Sequence, residues 1–452
     1  MTTLRQRFVD RFFQGLPREV AVLAAVAVAV AIGFGVVATA LPEFARSFGV
    51  GKFWAGAVIS AFALMRFVSA LGGGRLVDSF GERIVLASGI GIVAVSTGLA
   101  GLSQSYSQLL ILRGLGGIGS AMFTVAATAL LLRVVDAGNR GRASGLFQAG
   151  FLLGALLGPL LGGFLTEVSL RLPFYVYAVS LLAASSIGFM FLRSAADSPP
   201  RMETTAVTEA AADIEAITDS EPAEPAEPAE PVAQEEPEST TLTEAWGNPA
   251  YRGAVMVNLA NGWAFFGVRI SLVPLFVTEE MGLRPLWIGI GFLCASVAQA
   301  GFLLSAGKFV DRRGRRPAMI SGSLLAAAAF AAIAINESRL TYLLAMTATG
   351  VGAAFVGTAP GAVVGDIMHG RGGRVVAVFQ MSADAGAILG PLAAGLLADQ
   401  VSFSAAFALC SVILLAATVL SLRMPETLPG AVRGEQLRAR RRLLSRRRTG
   451  GE

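Results

Sequence analysis

Twelve predominantly apolar stretches run through this chain, and their length constrains the fold more than any other feature. A helix needs roughly 20 apolar residues to cross the hydrocarbon core of a bilayer. Apolar and polar residues do not alternate as they do in the strands of membrane barrels, so we expect helical spans. The predicted spans are 19–41, 53–74, 84–101, 108–132, 143–165, 173–192, 253–277, 287–306, 317–335, 340–366, 375–397 and 403–422. The predicted fold class is therefore an all-α membrane protein with twelve transmembrane helices.

The composition agrees with lipid as the solvent for most of the chain. Charged residues make up 15% of the 452 residues, whereas soluble proteins carry about 25%. The net charge of +5 is concentrated in short loops and at the C-terminus, so the sequence predicts the lipid bilayer as a partner and no nucleic acid. Cys294 and Cys410, the two cysteines, each lie inside an apolar run, which predicts neither a disulfide framework nor a metal site.

An acidic segment with few large apolar residues separates the sixth span from the seventh. It contains "EPAEPAEPAEP", in which a proline at every third position is incompatible with regular helix or sheet. We therefore expect a disordered linker between two halves. The predicted domains are a cytoplasmic N-terminal segment (1–18), an N-terminal six-helix bundle (19–193), a disordered acidic cytoplasmic linker (194–250), a C-terminal six-helix bundle (251–423) and a basic cytoplasmic tail (424–452).

The positions of arginine and lysine predict the orientation in the membrane. Loops that retain many Lys and Arg residues stay on the cytoplasmic side. With the N-terminus inside, the short outer loops hold few basic residues: Arg46, Lys52, Arg171, Arg284 and Arg339. The inner loops and the tail hold most of the remainder. We therefore expect a multi-pass protein of the cytoplasmic membrane with both termini in the cytoplasm.

The two halves of the sequence repeat each other. "GRASGLFQAGFLLGALLGPLLGGFL" aligns with "GRVVAVFQMSADAGAILGPLAAGLL", and Pro42 aligns with Pro274 at an offset of 232. Trp54 aligns with Trp287 at an offset of 233. Many matches at nearly one offset indicate two pseudo-symmetric bundles of six helices in parallel orientation.

Four motifs resemble those of the major facilitator superfamily, in particular its twelve-helix drug:proton antiporter branch. They are "GRLVDSFGER", its repeat "GKFVDRRGRR", "RGLGGIGSA" in the fourth span and "GALLGPLLGG" in the fifth. The sequence departs from the usual pattern at Ser79 and Glu82, where basic residues are common, and at Gly116, where glutamine is common. The resemblance implies alternating access around a central cavity, a small-molecule substrate and protons as the coupling ion.

The paired loop motifs predict a cytoplasmic gate. Glycines allow close helix packing and sharp turns there, and Asp78 and Asp311 are expected to face the positive amino ends of the eleventh and fifth spans. Arg83 is expected to pair with Asp136, and Arg315 with Asp366. The alternative is a solvated positive loop without a gating role. The predicted gate residues are Gly74, Asp78, Gly81, Arg83, Gly307, Asp311, Gly314, Arg315, Asp136 and Asp366.

The glycine-proline runs of the fifth and eleventh spans predict close helix packing, because small residues at four-residue spacing let another backbone approach. Kinks at the two prolines that serve a rocking motion are the functional alternative to plain packing. The motif residues are Gly154, Gly158, Pro159, Gly386, Gly390 and Pro391.

Charges at membrane depth are the sharpest functional signal, because each costs at least about 2.5–3.5 kcal/mol at the centre of the bilayer. Asp384 is predicted to be the proton-coupling carboxylate, paired with Arg269 or with a cationic substrate; the alternative is a permanent structural ion pair. Arg113 matches the motif arginine for which the resemblance implies a role in proton coupling, and Arg66 braces the interface or lines the cavity. The other polar cavity candidates are Gln148, Gln380 and Asn261.

These features favour a secondary transporter that exports lipophilic or cationic small molecules in exchange for protons and functions as a monomer. A metabolite symporter or facilitator of the same fold is one alternative, and a non-transporting receptor or scaffold is another. The first span contains no acid in its interior, which counts against drug export. No "GxxxxGK[ST]" loop or nucleophile elbow occurs, so we expect neither a cofactor nor an enzymatic activity.

Overall fold

The computed structural model describes residues 17–135, 139–191, 240–368 and 373–428. In these ranges twelve helices are long and apolar enough to cross a membrane. They are α1 (Arg18–Arg46), α2 (Lys52–Phe80), α3 (Glu82–Gly101), α4 (Tyr106–Val134), α5 (Arg140–Val168), α6 (Leu172–Phe191), α7 (Pro249–Glu280), α8 (Leu286–Arg313), α9 (Arg315–Ile335), α10 (Arg339–Ile367), α11 (Gly373–Gln400) and α12 (Phe403–Arg423). The predicted gate residue Asp136 and the Asp78 side chain lie outside the described part of the chain.

The helices form two bundles with the same internal packing. In the first bundle α1 packs on α5, α2 on α4, and α3 on both α4 and α6. In the second bundle α7 packs on α11, α8 on α10, and α9 on both α10 and α12. Each contact in one bundle thus has a counterpart six helices later, as the sequence repeat requires. The predicted fold class of two pseudo-symmetric six-helix bundles is confirmed.

Glycines bring the first and fifth helices of each bundle into backbone contact. A Cβ atom at Gly158 of α5 would lie 2.4 Å from the Ile32 carbonyl oxygen of α1, and one at Gly154 would meet the same helix. In the second bundle, a Cβ at Gly386 of α11 would lie 2.1 Å from the Leu259 carbonyl oxygen of α7, and Gly390 faces α7 one turn later. Only glycine permits these approaches.

The two prolines of the motif lie where one bundle meets the other. A Cβ at Gly289 of α8 would lie 2.6 Å from the Pro159 carbonyl oxygen of α5, and a Cβ at Gly56 of α2 would lie 2.6 Å from the Pro391 carbonyl oxygen of α11. The two contacts are equivalent under the internal repeat. The glycine-proline runs therefore serve packing within each bundle and packing between the bundles.

The bundles touch at one end of the molecule and separate at the other. We call the end that contains the α1–α2 and α7–α8 turns the outer end, and the end that contains Gly81 and Gly314 the inner end. Toward the outer end, Ser60 Oγ donates to the Ile388 carbonyl oxygen at 2.7 Å, and Ser296 Oγ donates to the Ala155 carbonyl oxygen at 2.9 Å. Both hydrogen bonds join the two bundles.

Two acids close the outer end by binding helix amino termini of the opposite bundle. The Asp399 carboxylate at the end of α11 accepts from the Lys52 and Phe53 backbone N–H groups of α2, each at 2.8 Å. Glu167 at the end of α5 accepts from Leu286 N of α8 at 3.4 Å and from Arg284 Nη2 at 2.7 Å. A negative charge at a helix amino terminus is favourable because the first N–H groups lack partners within the helix. We call this pair of contacts the outer latch.

At the inner end the contact that the sequence predicts for Asp311 is not made. The Asp311 side chain is 74% exposed and contacts Arg315 of the same loop at 3.4 Å, so the expectation that it faces the amino end of α5 is wrong for this conformation. A Cβ at Gly145 of α5, or at Gly301 or Gly307 of α8, would meet no atom within 4 Å. The physical reason is that the bundles are spread apart here, which moves α5 away from the α8–α9 loop.

The boundaries of the predicted linker and tail need correction. A short helix, Leu242–Gly247, begins inside the predicted linker, where Thr241 and Glu244 form a reciprocal capping box. The Thr241 backbone N–H also lowers the pKa of the Glu244 carboxyl by stabilising its ionised form. In the predicted tail, Met424 is buried, and Glu426 accepts from the Arg315 and Arg316 backbone N–H groups at 2.8 and 3.1 Å. Capping hydrogen bonds thus anchor the described ends of both segments, residues 240–250 and 424–428.

Two substitutions in α5 test the glycine contact. We expect Gly158→Ala to destabilise the protein by about 1–3 kcal/mol, because the new methyl group meets backbone that cannot move aside. Gly145→Ala in the same helix meets open space, and it should be neutral or stabilising, since alanine favours the helix. Thermal unfolding in detergent checks both variants. Equal melting temperatures for the two variants would contradict the packing argument.

Removal of both latch acids tests whether they hold the outer end shut. Each loss should cost the closed form about 0.5–2 kcal/mol, as loss of a helix cap does. We expect Glu167→Ala with Asp399→Ala to lengthen the distance between spin labels at the exposed outer residues Gln104 and Glu337, in a background without cysteine. The control Glu280→Ala removes an exposed acid at the same end. An unchanged distance distribution in the double variant would show that the latch is dispensable.

Candidate functional site

A cleft lies between the bundles and is lined by residues of α1, α2, α4, α6, α7 and α11. Apolar and aromatic side chains form most of its wall, among them Phe34, Phe62 and Ile270. Arg66 and Arg113 are the two charged side chains that line it. An apolar cleft with a few convergent polar groups is the usual form of a small-molecule site.

Arg66 and Asp384 form an ion pair across the bundle interface. Arg66 Nη2 of α2 donates to Asp384 Oδ1 of α11, and Ala387, one turn along α11, lines the cleft. The expectation that Asp384 pairs with Arg269 is therefore wrong. That expectation compared only the depths of Asp384 and Arg269 in the membrane. The partner of Asp384 is decided by which helix packs beside α11, and α2 packs there.

Arg113 is almost fully buried beside the cleft. Its side chain is 4% exposed, its Cζ atom lies 4.6 Å from the centre of the Phe62 ring, and its Nε has no hydrogen-bond partner among the described residues. A Cβ at Gly117, one turn further along α4, would lie 2.3 Å from the Phe62 carbonyl oxygen. The close approach of α4 to α2 at this glycine is what places the guanidinium over the ring. Tyr177 of α6 lines the same part of the cleft.

Arg269 lies in α7, the most irregular of the described helices. Two π-helical stretches, Gly262–Val268 and Phe276–Glu280, interrupt α7 on either side of it, and such irregularities are frequent at functional sites. The Arg269 Cζ atom lies 5.5 Å from the Phe265 ring. Its neighbours Phe266 and Ile270 line the cleft. No ion pair of Arg269 occurs among the described residues, so its charge is not balanced by Asp384.

The predicted polar candidates lie away from this cluster. Gln148 and Gln380 occupy equivalent, exposed positions in α5 and α11, and Asn261 is half-buried in α7. The neighbouring Asn258 makes the contact between α7 and α11, where its Nδ2 donates to the Phe379 carbonyl oxygen at 2.7 Å and to Ser382 Oγ at 3.2 Å. None of the three predicted residues lines the described cleft.

The gate motif forms local contacts in both halves. Arg315 Nε donates to Asp366 Oδ2 at 2.9 Å, so the structure brings this expected pair together. Arg83 Nε donates to the Phe189 carbonyl oxygen at 2.7 Å, and its expected partner Asp136 lies outside the described residues. Gly81 and Gly314 have φ values of 77° and 118°, which residues with a side chain rarely adopt. Glycine is therefore required at both turns.

Sequence reasoning assigned no role to Glu82 or Glu43. Glu82, which departs from the family motif, lies 2.8 Å from Arg133 Nε, and this proximity compensates its charge. Glu43 of α1 is half-buried near Thr278 of α7, and its Oε1 has no partner among the described residues. Its position near a helix end concealed it, although it aligns with the apolar Leu275 in the other half, and that mismatch was a usable signal.

A known family of proteins matches this chain in sequence along most of its length. A sequence model described as "Major Facilitator Superfamily" matches residues 23–305 and 254–449. "Multidrug resistance protein 1" of Bacillus subtilis (strain 168) is 29% identical over 172 residues, which are 38% of this chain and 44% of that protein. "Quinolone resistance protein NorA" of Staphylococcus aureus (strain MRSA252) is 30% identical over 148 residues, 32% of this chain and 37% of that protein. The chain thus spans less than half the length of these curated relatives.

A solved structure shares the whole fold. A bacterial homologue of the human lysosomal transporter Spinster, in an inward-facing and unoccupied conformation, has a TM-score of 0.65 at 16% identity and covers 90% of this chain and 94% of its own. At this identity the likeness concerns the fold alone. No group of three or more His, Cys, Asp or Glu residues that could hold a metal occurs in the described ranges. With twelve candidate spans in its described ranges, two repeated bundles and a family match along almost its full length, the chain belongs to the major facilitator superfamily and is a multi-pass membrane protein.

Proposed function

We propose that this protein exports lipophilic small molecules across the cytoplasmic membrane in exchange for protons, by alternating access. The observation that carries the proposal is the Arg66–Asp384 pair, which joins the two bundles beside an apolar cleft. A charge pair at the interface of two moving bodies is a natural coupling point, because its protonation changes how firmly the bodies hold together. The printed names of the relatives, which concern multidrug and quinolone resistance, support export.

The proton acts at the Asp384 carboxylate. When Asp384 is ionised, it holds the Arg66 guanidinium and so holds α2 against α11. A proton on the carboxylate removes the negative charge, which weakens this contact and frees Arg66 within the cleft. Reorientation of the bundles is then governed by the occupancy of the cleft and by the protonation state of one residue. Coupling requires this link between ion binding and conformational preference.

The direction of export rests on the predicted orientation. The basic loops assign the inner end and both termini to the cytoplasm. In that orientation the separated inner ends of the bundles face the cytoplasm, while the outer latch and the glycine-proline contacts close the outside. Substrate would then enter from the cytoplasm. Each chain contains a complete cleft between its own bundles, so we propose that it works as a monomer.

Replacement of Asp384 separates coupling from structure. We expect Asp384→Asn to abolish the gradient-driven accumulation of lipophilic dyes in inside-out vesicles, because the variant lacks the titrating group. Exchange of dye across proteoliposome membranes without a gradient should persist and lose its dependence on pH. The control Glu337→Gln changes an exposed acid far from the cleft, and it should behave as the parent protein does.

A purely structural ion pair gives a different pattern. In that case Asp384→Asn leaves the Arg66 charge unpaired, so expression and thermal stability fall, and Arg66→Gln added to Asp384→Asn restores both properties together with gradient-driven transport. Full gradient-driven accumulation in the single variant would also refute the coupling role. Accumulation that survives collapse of every ion gradient would refute secondary transport itself.

A further inference from the structure

We propose that the cleft selects lipophilic anions, such as aromatic carboxylates or sulfonates, and that Arg113 is the residue that binds the anionic group. This proposal rests on the proposed transport function and narrows its substrate class. It reverses the expectation of a cationic substrate that the sequence resemblance favours. The argument depends on which charges inside the membrane are already balanced and which are not.

The charges of the membrane interior are unequal. Away from the helix ends, the described spans contain three guanidinium groups, those of Arg66, Arg113 and Arg269, and one carboxylate, that of Asp384. The excess is therefore two positive charges. Such charges are costly in a bilayer and mark substrate or ion pathways. A cationic substrate would add to this excess, whereas an anion reduces it.

Asp384 is not free to balance Arg113. Its Oδ1 accepts from Arg66, and the pair lies at the contact between α2 and α11. The next acid, Glu43, lies near the outer end of α1, beside Thr278 and Glu279 of α7, so it belongs to the closed outer side. The described part of the chain therefore supplies no carboxylate to Arg113.

Arg113 is built into the wall of the cleft as an unsatisfied donor. It is 4% exposed, it lines the cleft, and its Nε has no partner. Buried polar groups are nearly always hydrogen-bonded, so an unpaired buried donor calls for an explanation such as a ligand. A guanidinium has five N–H donors in a planar fork that matches a carboxylate. A bound anion would satisfy the donors that the protein leaves open.

The rest of the wall fits the apolar body of such a molecule. The Phe62 ring packs against the Arg113 guanidinium, and Tyr177 of α6 lines the same cleft. Phe266, which is 51% exposed, and Ile270 present apolar surface from the opposite bundle. An aromatic ring that lies among these side chains would place an attached carboxylate toward Arg113. Both bundles would then hold the substrate, as transport requires.

Three probes with one ring system and different charges test the proposal: 2-naphthoate, 2-naphthamide and 2-naphthylmethylammonium. Their binding to the purified full-length protein is measured by calorimetric titration. We expect 2-naphthoate to bind at least about tenfold more tightly than the ammonium probe, because it interacts with the unpaired guanidinium at low dielectric. Arg113→Gln should abolish this preference, and Arg113→Lys, which keeps the charge, should retain part of it. The control Arg75→Gln removes an exposed arginine of α2 and should retain all of it.

The outcomes separate this proposal from the transport function. Equal binding of the three probes to the parent protein, or tighter binding of the ammonium probe, overturns the anion proposal even if Arg113 variants fail to fold. An Arg75→Gln variant that loses the preference as Arg113→Gln does would also overturn it, since a general surface charge would then be the cause. Gradient-driven dye accumulation that continues in either case shows that the transport function stands. If the parent protein accumulated no dye under a gradient, the proposed transport function would be refuted instead.

Discussion

The close approach of backbones at Pro159 and Pro391 is the contact on which the rest of the molecule depends. The carbonyl oxygen of each proline faces a glycine of the opposite bundle, Gly289 and Gly56, while neighbouring glycines on the same helix face the first helix of their own bundle. One helix in each bundle therefore connects the interior of the bundle with the interface. Packing and hydrogen bonds provide such contacts in lipid, because burial of apolar surface gives little drive there. The small residues are what make α5 and α11 suitable for both tasks.

The outer latch adds a polar contact to this apolar one. Asp399 and Glu167 bind N–H groups at the start of α2 and α8, so each bundle gives an acid and receives one. At the inner end, Asp311 of the repeated loop motif has no such partner and is exposed to solvent. Capping bonds at helix ends are individually modest, which suits contacts that form and break in turn. The two ends thus differ in one interaction: acids bind helix N–H groups of the opposite bundle at the outer end, and Asp311 makes no such contact at the inner end.

Much of the architecture follows from the sequence, because spans and repeats are one-dimensional signals. The lengths of the apolar stretches predicted the helices. The constant offset between the halves predicted two equivalent bundles, including the equivalence of Pro159 and Pro391. The partner of Asp384 did not follow, because depth along one helix says nothing about which neighbour stands beside it. The Asp311 contact failed for another reason: it belongs to a conformation, and a sequence specifies several. Glu426 was missed because a cap at the start of a basic tail carries no periodic signal.

The two halves of the protein differ at the charged residues of the membrane interior. Under the repeat, Arg66 aligns with Gln299, Arg113 with Met346, Arg269 with Val37, and Asp384 with Leu152. Each interior charge therefore has an uncharged residue at the equivalent position of the other half. The packing glycines and prolines, by contrast, are duplicated in both halves. The glycine contacts that these residues make on the two sides of the molecule are therefore equivalent. Three of the four charges line or flank a cleft formed mainly by α1, α2, α4 and α7, while Asp384 joins it from α11. The duplicated part of the sequence therefore builds the helix packing, and residues that diverged between the halves place the charges at the cleft.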